Sequence, residues 1–171
     1  MLKGEDVVLL LKLVGHGPDW TVRTLAEETN IPRSVVHRAV HRLAVAGLLD
    51  VKRRRVNGSQ AQEFLVHAVK YLFPASVEGE SRGIPTAWAA EPLASQLASP
   101  PDEMAPVWPD AHGSQRGLAL RPLHPAVPIA ARRDPELAER LALLDGLRLG
   151  DARVRALSAQ LLIARLEALG A

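Results

Sequence analysis

The sequence contains no cysteine, which excludes disulfide scaffolds, cysteine nucleophiles and thiolate metal sites. Aromatic residues make up only 4% of the chain. No apolar run reaches the roughly 20 residues that a transmembrane helix needs. The apolar stretch near the start is interrupted by Glu5, Asp6 and Lys12 and lacks a cleavage site, so we predict a core helix there and not a signal peptide. We therefore expect a cytoplasmic protein without a membrane partner.

Motifs typical of enzymes are also missing. The chain has no GxSxG sequence and no phosphate-binding P-loop. Acidic residues of the rear half, such as Asp134 and Asp151, stand at predicted helix starts, where carboxylates cap the backbone. His37 and His41 have the spacing of two metal ligands on a helix, but no third ligand accompanies them. We predict that the protein is not an enzyme and that it holds neither a metal nor a cofactor.

The chain does have a substantial apolar fraction and an uneven distribution of charge. Its 171 residues, 47% of them hydrophobic, suffice for one domain or for a small domain with an extension. Residues 1–72 contain 11 Lys and Arg against 7 Asp and Glu, whereas residues 73–171 contain 10 against 12. Between Arg33 and Arg55, seven basic residues accompany one acidic residue, Asp50. A localised basic stripe predicts a polyanionic partner.

The front of the chain has the pattern of three short helices followed by a hairpin. Apolar periodicity and breaking residues predict helices over 4–14, 23–29 and 32–46, the last two ended by Asn30 and Gly47. The extended piece from Trp20 to Val22 can pair with the hairpin. Residues 48–54 look like a strand, Asn57-Gly58 like a turn, and residues 60–64 like the returning strand. A further helix over 63–73, ended by Pro74, closes this first domain.

The polar face of the third predicted helix and the hairpin carry side chains suited to DNA. Arg33 or Arg38 can contact guanine with two hydrogen bonds, and the basic hairpin can contact the backbone or the minor groove. The alternative is that these charges only solvate their elements; their presence on two elements that the fold brings to one surface favours binding. The predicted DNA-contacting residues are Arg33, Ser34, His37, Arg38, His41, Arg42, Lys52, Arg53, Arg54 and Arg55.

The stretch LAEETNIPRSVVHR at 25–38, followed by Leu43 and by AGLL at 46–49, resembles the winged helix-turn-helix of bacterial regulators of the IclR and MarR type. The resemblance covers about residues 4–73. It implies a DNA-binding transcriptional regulator, and we predict a repressor that acts as a homodimer on double-stranded DNA.

The rest of the chain divides into two predicted parts. Residues 74–133 are rich in Pro and Gly but also in apolar residues, so we predict an ordered, irregular segment that wraps the winged domain or a partner; a short helix over 86–97 would be kinked or divided at Pro92. Residues 134–171 form a predicted hairpin of two amphipathic helices, capped by Asp134 and Asp151, for dimerisation or partner binding.

The predicted fold is therefore mainly α with a small β wing: a winged domain over 1–73, the Pro-rich segment and the helical hairpin. A winged domain followed by a region without enzyme motifs is also similar to AbiE-like antitoxins. That resemblance implies an alternative function, in which the chain is an antitoxin or adaptor that neutralises a partner enzyme such as a nucleotidyltransferase toxin and represses its own operon.

Overall fold

The computed structural model describes residues 1–169, and its first part is a three-helix unit. The helices are α1 (Gly4–Val14), α2 (Val22–Thr29) and α3 (Arg33–Val45). Thr21 caps α2 by accepting a 3.0 Å hydrogen bond from the backbone N–H of Thr24. Asn30 and Gly47, which follow α2 and α3, have the left-handed φ values of 58° and 78° that their residue types favour. The three predicted helices are confirmed to within one residue.

A short hairpin follows α3, but it lies earlier in the chain than predicted. Its strands are β1 (Leu49–Asp50) and β2 (Arg55–Val56), which pair antiparallel around a turn at residues 51–54. The prediction of a turn at Asn57-Gly58 is wrong. Asn57 instead stands before a helix, where its side chain donates to the carbonyl of Gly47 at 2.6 Å. Lys52, Arg53 and Arg54 therefore lie in the turn of the hairpin, and Arg55 is the first residue of β2.

A helical stretch replaces the predicted returning strand at 60–64. It runs from α4 (Gly58–Glu63) through a π-helical segment (Phe64–Ala68) to α5 (Val69–Leu72). The predicted helix over 63–73 thus exists but begins five residues earlier. The piece from Trp20 to Val22 forms no strand, because Val22 already belongs to α2.

Residues 77–120 contain a small sheet that the sequence analysis did not predict. Its strands are β3 (Val77–Pro85), β4 (Pro106–Pro109) and β5 (Gln115–Leu120). Strand β3 pairs antiparallel with both β4 and β5, and β4 pairs parallel with β5, so the three strands close on one another. The prediction of an irregular segment is wrong for these strands. The predicted division at Pro92 is confirmed: a 3-10 turn (Ala87–Ala89) precedes it and α6 (Leu93–Gln96) follows it.

The end of the described chain is helical. A short helix, α7 (Val127–Arg133), was not predicted, whereas α8 (Pro135–Leu149) and α9 (Ala152–Leu169) confirm the helical hairpin. Asp134 caps α8 by accepting from the backbone N–H of Leu137 at 3.1 Å, and Asp151 caps α9 by accepting from that of Val154 at 2.9 Å.

Helix α8 is the centre of the molecule. Its residues 140–147 are all buried, so it has no solvent-facing side along that length and contacts elements from both halves of the chain. A single apolar core reaches from Val7 in α1 to Leu166 in α9. The mainly helical class with a small β component is confirmed, and the predicted domain limits at 73 and 133 remain predictions. Within the described part of the chain, none of the helices combines the length and the apolar character that crossing a bilayer demands.

Candidate DNA-contacting surface

Helix α3 is fixed to the core along one side. Val36, Ala39 and Leu43 are fully buried, and their spacing of three and four residues puts them on a single stripe that packs against α1 and α2. This packing determines which side chains of α3 face outward. Because this stripe is buried, the opposite side of the helix faces solvent.

Five of the predicted contact residues lie on that outward side. Arg33, Ser34, His37, Arg38 and His41 are exposed, and their spacing of one, four, five and eight residues keeps them on one helix face. Within residues 1–169, none of these five side chains forms a hydrogen bond or an ion pair. Their donors are thus free for an external partner. We call these five residues the α3 face.

Arg42, the sixth residue predicted on this helix, has an intramolecular role. Its guanidinium donates to both carboxylate oxygens of Asp6, each at 2.7 Å, and it lies 3.5 Å from Glu5. Asp6 is fully buried, so this two-pronged pair supplies the charge that the buried carboxylate needs. The hydrogen bonds with Asp6 raise the pKa of Arg42 despite its partial burial. Arg42 therefore binds α3 to α1, and we leave it out of the candidate surface.

The hairpin adds a second group of cations, in its turn and at the start of β2. Lys52, Arg53 and Arg55 are exposed, and the only carboxylate near them within the described chain is that of Asp50, 3.9 Å from Arg53. An exposed ion pair of that length contributes little. These three side chains are therefore available to phosphate groups. We call residues 49–56 the wing.

Arg54 differs from its neighbours because it holds the wing in place. Its guanidinium lies 4.3 Å from the centre of the Trp20 ring, and its Nε donates to the carbonyl of Pro18 at 2.7 Å. Trp20 donates from Nε1 to the Arg54 carbonyl at 3.1 Å, so the two residues bind each other in both directions. Arg54 adopts a left-handed φ of 56°, which an arginine rarely does. Through its contacts with Arg54, the loop before α2 fixes the wing.

Sequence reasoning missed Trp20, Asp6 and Glu5 as supports of this surface. A signal for the acidic pair was present: both residues stand in the first turn of α1, where they face the third helix of the unit. Trp20 gave no comparable signal, because a ring under a guanidinium 34 residues away has no local pattern. The wing could be recognised from the sequence, but the residue that immobilises it could not.

Two polar contacts from the junction between α7 and α8 hold the three-helix unit, in addition to the 2.9 Å bond that Arg140 in α8 donates to the carbonyl of Leu11. Lys12 in α1 binds Asp134 at 2.7 Å, and Arg133 in α7 donates to the carbonyl of Glu27 in α2 at 2.8 Å. Partial burial by itself raises the pKa of Asp134, but the hydrogen bonds from Lys12 and Leu137 outweigh it and hold the pKa below its usual value. The junction between α7 and α8 is thus a clamp on α1 and α2.

A buried polar cluster makes a further connection. Arg148 donates to the Asp145 carboxylate at 2.8 Å and to the carbonyl of Phe73, also at 2.8 Å. Asp145 accepts in addition from Thr86 at 2.7 Å and from the indole N–H of Trp108 at 2.8 Å. Burial raises the pKa of Asp145, although all of these donors favour the carboxylate. The cluster joins α5, α8 and the sheet, and it is structural.

Within residues 1–169, no group of three or more His, Asp and Glu side chains is arranged to hold a metal ion. His37 and His41 lie one helical turn apart on the α3 face without a third ligand near them. What the surface offers is therefore hydrogen-bond donors and positive charge on two adjoining elements.

Comparison with known proteins supports one part of the chain. Residues 3–58 match the model of the MarR family, which is a stretch that contains α1, α2, α3 and the wing. No curated protein and no solved structure matches the chain significantly. The match supports a MarR-type winged-helix DNA-binding domain over that stretch, which is less than half of the chain. The resemblances to IclR regulators and AbiE antitoxins have no support from these comparisons.

Proposed function

We propose that the protein regulates transcription by inserting α3 into the major groove of double-stranded DNA while the wing contacts the flanking backbone. The observation that carries the proposal is the α3 face. It presents two arginines, two histidines and a serine that have no partners within residues 1–169, and it belongs to a domain of DNA-binding type. Because exposed arginine donors in a groove match the acceptors of guanine, this face suits sequence-dependent contact.

The two groups of side chains have different roles in this proposal. Arg33 and Arg38 contact base edges, and Ser34, His37 and His41 add hydrogen bonds to bases or phosphates. The wing residues that contact phosphate in this proposal are Lys52, Arg53 and Arg55. Arg54 contributes through its grip on Trp20. Contacts to phosphate set the affinity for any sequence, whereas contacts to bases select among sequences.

We further propose that two copies act together and repress. A symmetric dimer would bind two half-sites whose centres lie one helical turn, about 34 Å, apart. The operator would then be palindromic. The exposure of Tyr71 and Leu72 at the end of α5, 76% and 60%, supports a protein contact in the rear of the domain. Repression is the simplest consequence of binding, because a dimer on a promoter blocks the polymerase. The absence of cysteine agrees with work in a reducing cytoplasm.

The test is selection of genomic fragments by the full chain at two salt concentrations. Electrostatic binding without sequence preference weakens steeply as salt rises, whereas a specific site retains its fragments longer. We expect a palindromic sequence to be enriched at the higher concentration, and light scattering of the complex to give two chains per site. A reporter carrying that sequence should lose expression when the protein is present.

The alternative is an antitoxin or adaptor whose rear half captures an enzyme. The exposed pair Tyr71 and Leu72 would then belong to the contact with that enzyme. Absence of any enriched sequence at the higher salt concentration would favour this function. Co-purification of a second protein in equal amount, with loss of its nucleotidyltransferase activity, would establish it.

A further inference from the structure

A cleft of about 470 Å³ lies in the rear half of the molecule, outside the stretch that matches a known family. One wall comes from the sheet and includes Ile84 and Trp108; the other comes from the α7–α8 junction and includes Ala131 and Ala138. These walls are apolar. The volume is within the range of roughly 300–1,000 Å³ that is usual for small-molecule sites, and such sites combine apolar walls with few polar groups.

The charged groups of the cleft determine which molecule would fit. Two of them are already neutralised: Arg132 binds Asp110 at 2.8 Å, and Glu139 binds Arg165 at 2.8 Å. His112 is the other basic side chain at the rim. The remaining group is the carboxylate of Glu91.

Glu91 is exposed, its Oε2 accepts from the hydroxyl of Ser95 at 2.6 Å and from the backbone N–H of Ser95 at 3.3 Å, and it has no Lys or Arg partner within residues 1–169. An unneutralised carboxylate beside apolar walls complements a molecule that has an apolar body and one positive charge. We propose that this cleft binds a small organic amine, with its apolar part between the two walls and its ammonium group at Glu91.

The position of the cleft gives such a ligand a route to the three-helix unit. Ala131, Arg132 and Pro135 line the cleft, and the two residues between Arg132 and Pro135 are those that clamp α1 and α2. Arg133 binds the Glu27 carbonyl, and Asp134 binds Lys12. A molecule in the cleft therefore contacts the immediate neighbours of both clamp residues. Its binding regulates DNA affinity by shifting this junction, a consequence that rests on the proposed function.

Binding is tested with the full chain in the absence of DNA. The probes are tryptamine, tryptophol and indole-3-acetate, which share a ring and differ in charge. In ¹⁵N-resolved NMR spectra, tryptamine should shift the indole N–H signal of Trp108 and leave that of Trp20 unchanged. We expect tryptamine to bind about fivefold more tightly than tryptophol, as one exposed ion pair allows, and indole-3-acetate to bind most weakly.

Two variants separate the ionic contact from general adhesion. Glu91→Gln keeps an oxygen for Ser95 but should remove the fivefold preference for tryptamine. Glu103→Gln changes an exposed carboxylate outside the cleft and should preserve that preference. The amine site is overturned if tryptamine leaves the Trp108 signal unmoved, or if the preference persists in Glu91→Gln.

The regulatory half of the inference has its own measurement. Saturating tryptamine should change the affinity for the selected DNA by about fivefold, the lower end of usual coupling between two sites. Arg133→Ala, which loses the bond to the Glu27 carbonyl, should bind tryptamine normally and show a smaller change in DNA affinity. Equal DNA affinity with and without tryptamine overturns the regulation. Failure of the free protein to bind DNA selectively would instead contradict the proposed function, and the NMR result would still decide the amine site.

Discussion

Arginine has opposite roles in the two halves of this molecule. On α3 and the wing, Arg33, Arg38 and Arg55 are exposed and unpaired within the described chain. In the rear half, five arginines each lie within 3.1 Å of a carboxylate; they are Arg116, Arg121, Arg132, Arg148 and Arg165. The same residue type therefore offers charge to a partner in the front half and closes internal contacts in the rear half.

This difference shows that the number of basic residues is a poor guide to a binding surface. Residues 73–171 contain 10 Lys and Arg, nearly as many as the 11 of residues 1–72. What distinguishes the front is that its cations on α3 and the wing have few acidic neighbours. Substitutions of the paired arginines in the rear half should thus act on stability, and substitutions on the front surface on DNA affinity.

The largest effect should come from Arg148, whose side chain and that of Asp145 are each only 4% exposed. Arg148→Met leaves a buried carboxylate without its cation and removes the bond to the Phe73 carbonyl. We expect a loss of about 4 kcal/mol in the free energy of unfolding, measured by urea denaturation, and a melting temperature lower by roughly 10 °C. Arg155→Met, an exposed site without a side-chain partner in the described chain, is the control. A loss similar to that control would contradict the structural role of the cluster.

We expect a smaller effect on stability at Arg42, which is an exception to the difference between the two halves. This arginine belongs to α3 but is paired as in the rear half, with the fully buried Asp6. Arg42→Ala should lower the free energy of unfolding by about 3 kcal/mol, because it leaves that carboxylate uncompensated. Arg38→Ala, the same change one turn earlier on the exposed face, should alter it by less than about 0.5 kcal/mol. Equal losses in the two variants would mean that Arg42 is not part of the interior.

DNA affinity, in contrast to stability, should depend on the exposed arginines of α3 and the wing. Arg38→Ala should weaken binding to the selected sequence by about 1–3 kcal/mol and relax the choice of base at one position. Arg55→Ala should weaken all sequences alike and reduce the slope of affinity against salt by about one ion. Titrations of matched and scrambled duplexes at several salt concentrations measure both quantities. Unchanged affinity in Arg38→Ala would exclude the α3 face as the reading surface.

Local signals explain how much of the front could be predicted. Helix α1 was predicted to its end residues, because apolar periodicity and a following Gly-rich breaker both act within a few positions. The α3 face followed from the same periodicity. The wing was misplaced because Asn57-Gly58 has the composition of a turn. In the structure, the Asn57 side chain donates to the carbonyl of Gly47, and Asn57 stands directly before α4. A tertiary contact overrode a strong dipeptide preference.

The rear half was predicted only where its signals are local. Helices α8 and α9 have Asp caps, and α8 has Pro at its first position, so both were found. The sheet was missed because its pairs join residues far apart, such as Gly83 with Pro109 and Val77 with Leu120. Proline and glycine in these strands resemble loop composition. Glycine is required in β3, however: a side chain at Gly83 would collide with the backbone of Trp108.

The smallest effect concerns Asp134, where the rear half holds the front. Lys12 and the Leu137 N–H keep the pKa of this carboxyl below its usual value against the effect of burial, so its charge stabilises the folded chain above the unfolded pKa of about 4. That contribution should disappear as the pH falls through the lower folded pKa.

Asp134→Asn retains an oxygen for the helix cap but loses the charge. Because the group is partly exposed, the free energy of unfolding of the wild type should exceed that of this variant by under about 1 kcal/mol at pH 6, and the difference should vanish once the pH is below the folded pKa. Urea unfolding from pH 2.5 to pH 6 tests this, with Asp102→Asn as an exposed control that should follow the wild type throughout. A difference that stays constant with pH would show that Asp134 acts on α8 alone and does not clamp α1 through its charge.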